Sequence, residues 1–118
     1  MAQVAMAAME PAIDRGHLAR ITFGDRSLQQ EVLQLFDRQS ALLIARMRSG
    51  NGEAISAMAH TLKGSAAGIG AQSVVRAAAA AEQAAAHAPG DLSDTIDRLA
   101  QAVDEARALI AELLRKGA

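Results

Sequence analysis

The chain has no cysteine, tryptophan or tyrosine, and only two phenylalanines and two prolines. Without cysteine there is no disulfide, thiol nucleophile or thiolate metal site, and a reducing, cytoplasmic setting fits. Phe23 and Phe36 are too few for a base-stacking surface or for the aromatic-rich strands of a β-sandwich. Charge of one sign is missing as well. Lys and Arg number 12 against 13 Asp and Glu, a formal net charge of −1, whereas a protein that binds nucleic acid through bulk charge shows a basic excess. No apolar run approaches the roughly 18 residues of a membrane span. The opening Met1 to Met9 has no basic region and stops at Glu10-Pro11, so it does not read as a signal peptide. Alanine is abundant instead, with 29 of 118 residues, and it is the best helix former. Length and composition together predict one small, soluble, all-α domain spanning 1–118.

Breakers divide the chain at Glu10-Pro11, Gly16, Gly24-Asp25, Ser49-Gly50-Asn51-Gly52, Gly68-Ile69-Gly70, Pro89-Gly90 and Gly117. They leave four long stretches and a short leading one. Ser27 and Gln30 predict a capping box that opens a helix running to about Arg48. Its apolar residues Leu28, Val32, Leu35, Phe36, Leu42, Leu43 and Met47 follow helical spacing, interrupted by Gln39 and Arg46. The next stretch gathers Ile55, Met58, Ala59, Leu62, Ala66 and Ile69 within an arc of about 100°, and Gly68 and Gly70 are expected to stop it. An Ala-rich helix follows from Ala71 to about Ala88. The last helix starts at Asp91 or Ser93 and carries Leu92, Ile96, Leu99, Val103, Ala106, Ile110 and Leu113 in alternating steps of four and three. Four such helices with short connections predict an antiparallel up-and-down four-helix bundle, with a short extra helix on its N-terminal side. Residues 1–10 are read as either disordered or a short helix.

Familiar catalytic patterns are absent. His17, His60 and His87 lack the i, i+3 or i, i+4 pairing of a zinc helix. Lys63-Gly64-Ser65 has the residues that end a P-loop, in the wrong order and without the glycine-rich turn. His60 stands out by position. With the apolar face of its helix set at 0°, His60 falls near ~140°, Lys63 near ~80° and Gly64 near ~180°. The imidazole therefore sits on a solvent-facing flank with Lys63 and Gly64 beside it. Gly in a helix interior costs about 1 kcal/mol relative to Ala, so Gly64 in a chain this rich in alanine points to a close approach. A neutral imidazole is nucleophilic near pH 7, its ordinary pKa being ~6.5. A phosphoryl group on its outer nitrogen would come within reach of Lys63. The competing reading is a solvated surface histidine beside a solvated lysine, and spacing alone leaves the two even.

The run Ala59-His60-Thr61-Leu62-Lys63-Gly64-Ser65-Ala66-Ala67-Gly68-Ile69-Gly70 resembles the signature of the histidine phosphotransfer (HPt) domain family. That signature is Ala-His, any residue, Leu-Lys-Gly-Ser, small residues, an apolar residue, then Gly. Gly24-Asp25 before a helix with Leu35-Phe36, and the Gly90-Asp91-Leu92 turn, also resemble the family; only the first ten or so residues fall outside. The resemblance implies that His60 is the phosphoacceptor, Lys63 a charge partner of the phosphoryl group, and Gly64 the clearance for a receiver domain. It implies that Glu82 faces His60 from the neighbouring helix and orients its inner nitrogen. Gln72 recurs in some relatives, and Ser65 reads as a helix-surface residue. His17 and His87 read as incidental, and Arg46, Arg48 and Arg76 as a solvated face. Met1, Met6 and Met9 read as a contact surface or a frayed terminus.

A phosphorelay intermediate in that sense is no enzyme with a nucleotide site of its own. It takes a phosphoryl group from one receiver aspartate and passes it to another, a step governed by positioning and charge, with Mg²⁺ expected on the receiver. A cytoplasmic monomer whose partners are response-regulator receivers and hybrid sensor kinases is expected. Two other readings compete. A sensor-kinase dimerisation bundle typically has an acidic residue after its histidine and a proline soon after; here Thr61 follows, no proline comes before Pro89, and 118 residues leave no room for an ATP-binding domain. The other is a helical interaction domain in which His60 is inert.

Overall fold

The computed structural model describes residues 10–117, and the regular secondary structure among them is all helical. The expectations for Met1, Met6, Met9 and the rest of the leading segment before Glu10 lie outside the described residues. A short helix, α1 (Arg15–Ile21), precedes four long ones: α2 (Arg26–Met47), α3 (Gly52–Ile69), α4 (Gln72–His87) and α5 (Leu92–Arg115). A single 3₁₀ turn at Pro89–Asp91 joins α4 to α5. The long helices close a ring in which each packs on its neighbours in sequence and α5 returns against α2. Their directions alternate. Asp37 pairs with Arg107 at 2.8 Å and Arg48 with Asp97 at 2.9 Å, so moving forward along α2 is moving backward along α5. The predicted bundle and its extra N-terminal helix are both present.

Local chemistry sets the boundaries, with some changes from expectation. α2 is capped by Asp25, whose carboxylate accepts from the Leu28 N–H at 3.1 Å. Ser27 lies inside the first turn, and the Ser27–Gln30 capping box does not form; an aspartate in extended conformation two residues earlier takes the orphan donor first. Asn51 caps α3 in the same way, through the Ala54 N–H at 2.9 Å. Gly68 lies within α3, and Gly70 alone ends it, in the left-handed conformation at φ 77°. A Cβ at Gly70 would also meet Asp14, 3.0 Å from its Cβ and 3.1 Å from its carbonyl oxygen. Backbone freedom and space therefore both require glycine there.

The core is built from Ile55, Ala59, Leu62, Ala66 and Ile69 of α3, and from Ile96, Leu99, Val103, Ala106, Ile110 and Leu113 of α5. Those are the stripes the spacing predicts, except that Met58 and Leu92 are only partly buried. α4 contributes Val74, Ala78, Ala81 and Ala84. Such small side chains let helix axes approach at the short end of the usual range. α2 departs from expectation: it buries Leu33, Phe36, Ser40 and Met47, while Leu35 and Leu42 stay 59% and 49% exposed.

Candidate phosphotransfer site

His60 sits in the middle of α3, one residue past fully buried Ala59 and two before fully buried Leu62. That register turns its side chain away from the core and leaves it 70% exposed. Across the α3–α4 seam, Glu82 follows buried Ala81 on the alanine helix. Around Glu82 the buried face of α4 is built from Ala78, Ala81 and Ala84, small side chains that allow a close approach of neighbouring helices. Its Oε2 lies 3.0 Å from His60 Nδ1 and its Oε1 2.8 Å from Lys63 Nζ. One carboxylate thus binds both functional groups of α3, and its side chain is only 24% exposed.

The electrostatics follow from that bridge. The Lys63 ammonium holds the Glu82 carboxyl below the ordinary carboxylate range; partial desolvation opposes this, and the hydrogen bond with His60 adds to it. An ionised carboxylate can only accept, so in the neutral ring Nδ1 carries the proton and donates it to Glu82. Nε2 is left with its lone pair on the solvent side, the arrangement a nucleophilic imidazole needs. The family resemblance implies that Glu82 faces His60; the shared bridge to Lys63 could not be read from the sequence, because i, i+19 contacts have no local signature.

Gly64 lies one turn beyond His60, and an added Cβ there would meet no atom of the chain within 4 Å. Neither internal packing nor a left-handed backbone asks for glycine at this position. With Ala57, Ala67 and Gly68 also exposed on α3, the imidazole stands on a track of small residues.

The other singled-out residues lie elsewhere. His87 is exposed at the end of α4. Ser65 is partly buried and Gln72 exposed, at the first position of α4. Arg48 pairs with Asp97 and Arg76 with Glu10 at 2.6 Å. His17 has a contact that its sequence neighbourhood does not announce: its Nε2 is 3.1 Å from the Gly68 carbonyl oxygen. Beside it the Asp14 N–H donates to the Gly70 carbonyl at 2.9 Å. Together they fasten α1 to the open carbonyl end of α3. Among the described residues no group of three or more His, Asp or Glu side chains could hold a metal ion, and no helix is long and apolar enough to cross a membrane.

No curated protein and no solved structure matches the chain. A family model does: the Hpt domain, over residues 26–114. That span runs from the first residue of α2 almost to the end of α5 and includes His60, Lys63, Gly64 and Glu82. The chain belongs to the Hpt domain family, whose general role is histidine phosphotransfer in phosphorelays.

Proposed function

We propose that this chain is a phosphorelay carrier that receives a phosphoryl group on Nε2 of His60 from the phosphoaspartate of one receiver domain and passes it to the aspartate of another. The observation that carries the reading is the exposed imidazole whose inner nitrogen is bound by Glu82. The Nε2 lone pair attacks phosphorus, the N–P bond forms, and the bond from phosphorus to the acyl oxygen breaks. The receiver's aspartate leaves as a carboxylate, and the ring keeps its Nδ1 proton and becomes cationic. Glu82, 3.0 Å from Nδ1, stabilises that new positive charge. Lys63 has three N–H donors, so it can keep Glu82 at 2.8 Å while donating to a phosphoryl oxygen. Gly64 gives the receiver's loops a close approach. In this reading the chain needs no nucleotide or metal of its own, and the Mg²⁺ belongs to the receiver.

The test is labelling by a panel of phosphorylated receiver domains, followed by mapping of the acid-labile phosphate. His60→Gln is expected to abolish label and keep the fold, because the side chain is outside the core. Label that persists in this variant and vanishes in His17→Gln or His87→Gln would end the reading.

A further inference from the structure

Phe23 occupies a position that the chain's own structure gives no reason for. α1 ends in a Schellman motif: the Gly24 N–H donates to the Ala19 carbonyl at 2.9 Å and the Phe23 N–H to the Arg20 carbonyl at 3.3 Å. The residue after the C-cap of such a motif is left-handed and is usually glycine, sometimes asparagine. Here it is phenylalanine at φ 55°, the only non-glycine residue with positive φ among those described. A bulky side chain in that region is a backbone outlier, and burial would normally offset the cost. Phe23 is instead 91% exposed, the largest exposure among the exposed large hydrophobics.

It does not stand alone. Ile21, two residues earlier, helps to line a shallow cleft of about 200 Å³ with Val32, Leu35 and Gln39 of α2 and Ser65 and Gly68 of α3. Gly68 lies two turns beyond His60, about 12 Å along the helix axis. A partner of standard size covers about 800 Å² of the surface it binds, a disc about 16 Å in radius. A receiver seated over His60 therefore reaches this cleft. The sequence leaves apolar side chains uncovered where that footprint ends.

We propose that Phe23, two residues past the Ile21 that lines this cleft with Leu35, is a docking anchor for the receiver domain that exchanges phosphoryl groups with His60. This rests on the phosphotransfer reading above and adds a recognition site outside the signature motif, one that acts on receiver affinity. The matching surface of the receiver is apolar and adjoins its phosphoaspartate.

The experiment uses the receiver that labels the full chain fastest. Its affinity for the unphosphorylated chain is measured by calorimetry, and transfer rate is followed against receiver concentration. Phe23→Asn is expected to weaken binding about tenfold or more, the effect of losing an interface anchor, and to raise the half-saturating receiver concentration in step while the rate at saturation holds. Its melting temperature should hold or rise, since asparagine tolerates the left-handed backbone. Leu35→Gln should weaken binding in the same direction, and Phe23→Leu should recover part of the loss. Wild-type affinity in both Phe23→Asn and Leu35→Gln overturns the proposal and leaves His60 phosphotransfer untouched. Loss of self-association with unchanged receiver affinity also overturns it, because the patch would then serve a second copy of this chain. Failure of every receiver to label the wild-type chain sinks the phosphotransfer reading and this inference with it.

Discussion

α5 and α2 are similar in length and both span the bundle, yet they spend their apolar residues differently. On α5 the alternating stripe from Ile96 to Leu113 goes into the core, with Leu99, Ala106 and Ile110 fully buried. α2 carries two apolar stripes offset by one residue. One runs Leu33, Phe36, Ser40, Met47 and faces the core; the other runs Leu28, Val32, Leu35, Gln39, Leu42, Arg46 and lies partly or wholly in solvent. A helix whose apolar residues exceed what the core can absorb has some other surface to serve. On α2 that surface borders the helix that bears His60.

Truncation separates the two helices most sharply. Leu99→Ala should cost about 2–5 kcal/mol, as deletion of a buried leucine does. Leu42→Ala should change stability by about 0.5 kcal/mol or less, the usual range for surface positions. Paired denaturant unfolding curves measure both, and comparable losses would show that Leu42 belongs to the core after all.

The same contrast explains what could be read from the sequence. α3 and α5 each carry one stripe, so 3.6-residue periodicity finds the buried face of both. On α2 the spacing of Leu28, Val32, Leu35 and Leu42 is as regular as that of the true core face, and Ser40 disguises the latter as polar. The hydroxyl is tolerated there because it donates to the Asp37 carbonyl at 3.3 Å; only tertiary packing chooses between stripes so close in angle. The site splits in a similar way. His60, Lys63 and Gly64 share one helix, so angle alone puts them together on its solvent flank and the signature motif supplies their roles, whereas the distances to Glu82 depend on how near α4 lies. The contact of His17 with the Gly68 carbonyl has no local signature either, because the two lie 51 residues apart.

Two neighbours of His60 should fail in different ways. Gly64→Gln should raise helix propensity by up to about 1 kcal/mol, and no atom within 4 Å of the added Cβ opposes it. Its melting temperature should hold or rise while transfer from a receiver falls about tenfold or more, the scale of a displaced reacting pair. Lys63→Ala should slow transfer only several-fold, because the charge is partly screened, and should leave receiver affinity near wild type. A Gly64→Gln protein that transfers at the wild-type rate would remove the steric argument.

A smaller effect is expected where α1 meets α3. His17→Ala removes the hydrogen bond to the Gly68 carbonyl, worth about 0.5–1.5 kcal/mol, at a carbonyl that water can reach. Amide exchange should quicken in α1 and the last turn of α3 and stay slow in α5. Uniform quickening across the bundle would mean that the contact supports the whole fold rather than one end.

The smallest effect concerns the bridge itself and is read from pH. Glu82 has its folded pKa held below the ordinary value, first by the Lys63 hydrogen bond and then by His60. A depressed carboxyl pKa contributes stability that is fully present above the unfolded value and is lost as pH falls through the folded one. Glu82→Gln removes that contribution and nearly preserves shape. The melting temperature of the wild type should therefore exceed that of Glu82→Gln by a small margin near pH 6, and the gap should close between about pH 5 and about pH 3, around and below the ordinary glutamate range. Other carboxylates titrate alike in both proteins and cancel in the difference. The tautomer supplies an independent check. Nitrogen NMR of the neutral His60 ring should find the proton on Nδ1 in the wild type, and a mixture of tautomers in Glu82→Ala, where nothing is left to accept it. A constant melting gap across that pH range, with the same tautomer in both proteins, would show that the 3.0 Å contact leaves the imidazole as free as any surface histidine.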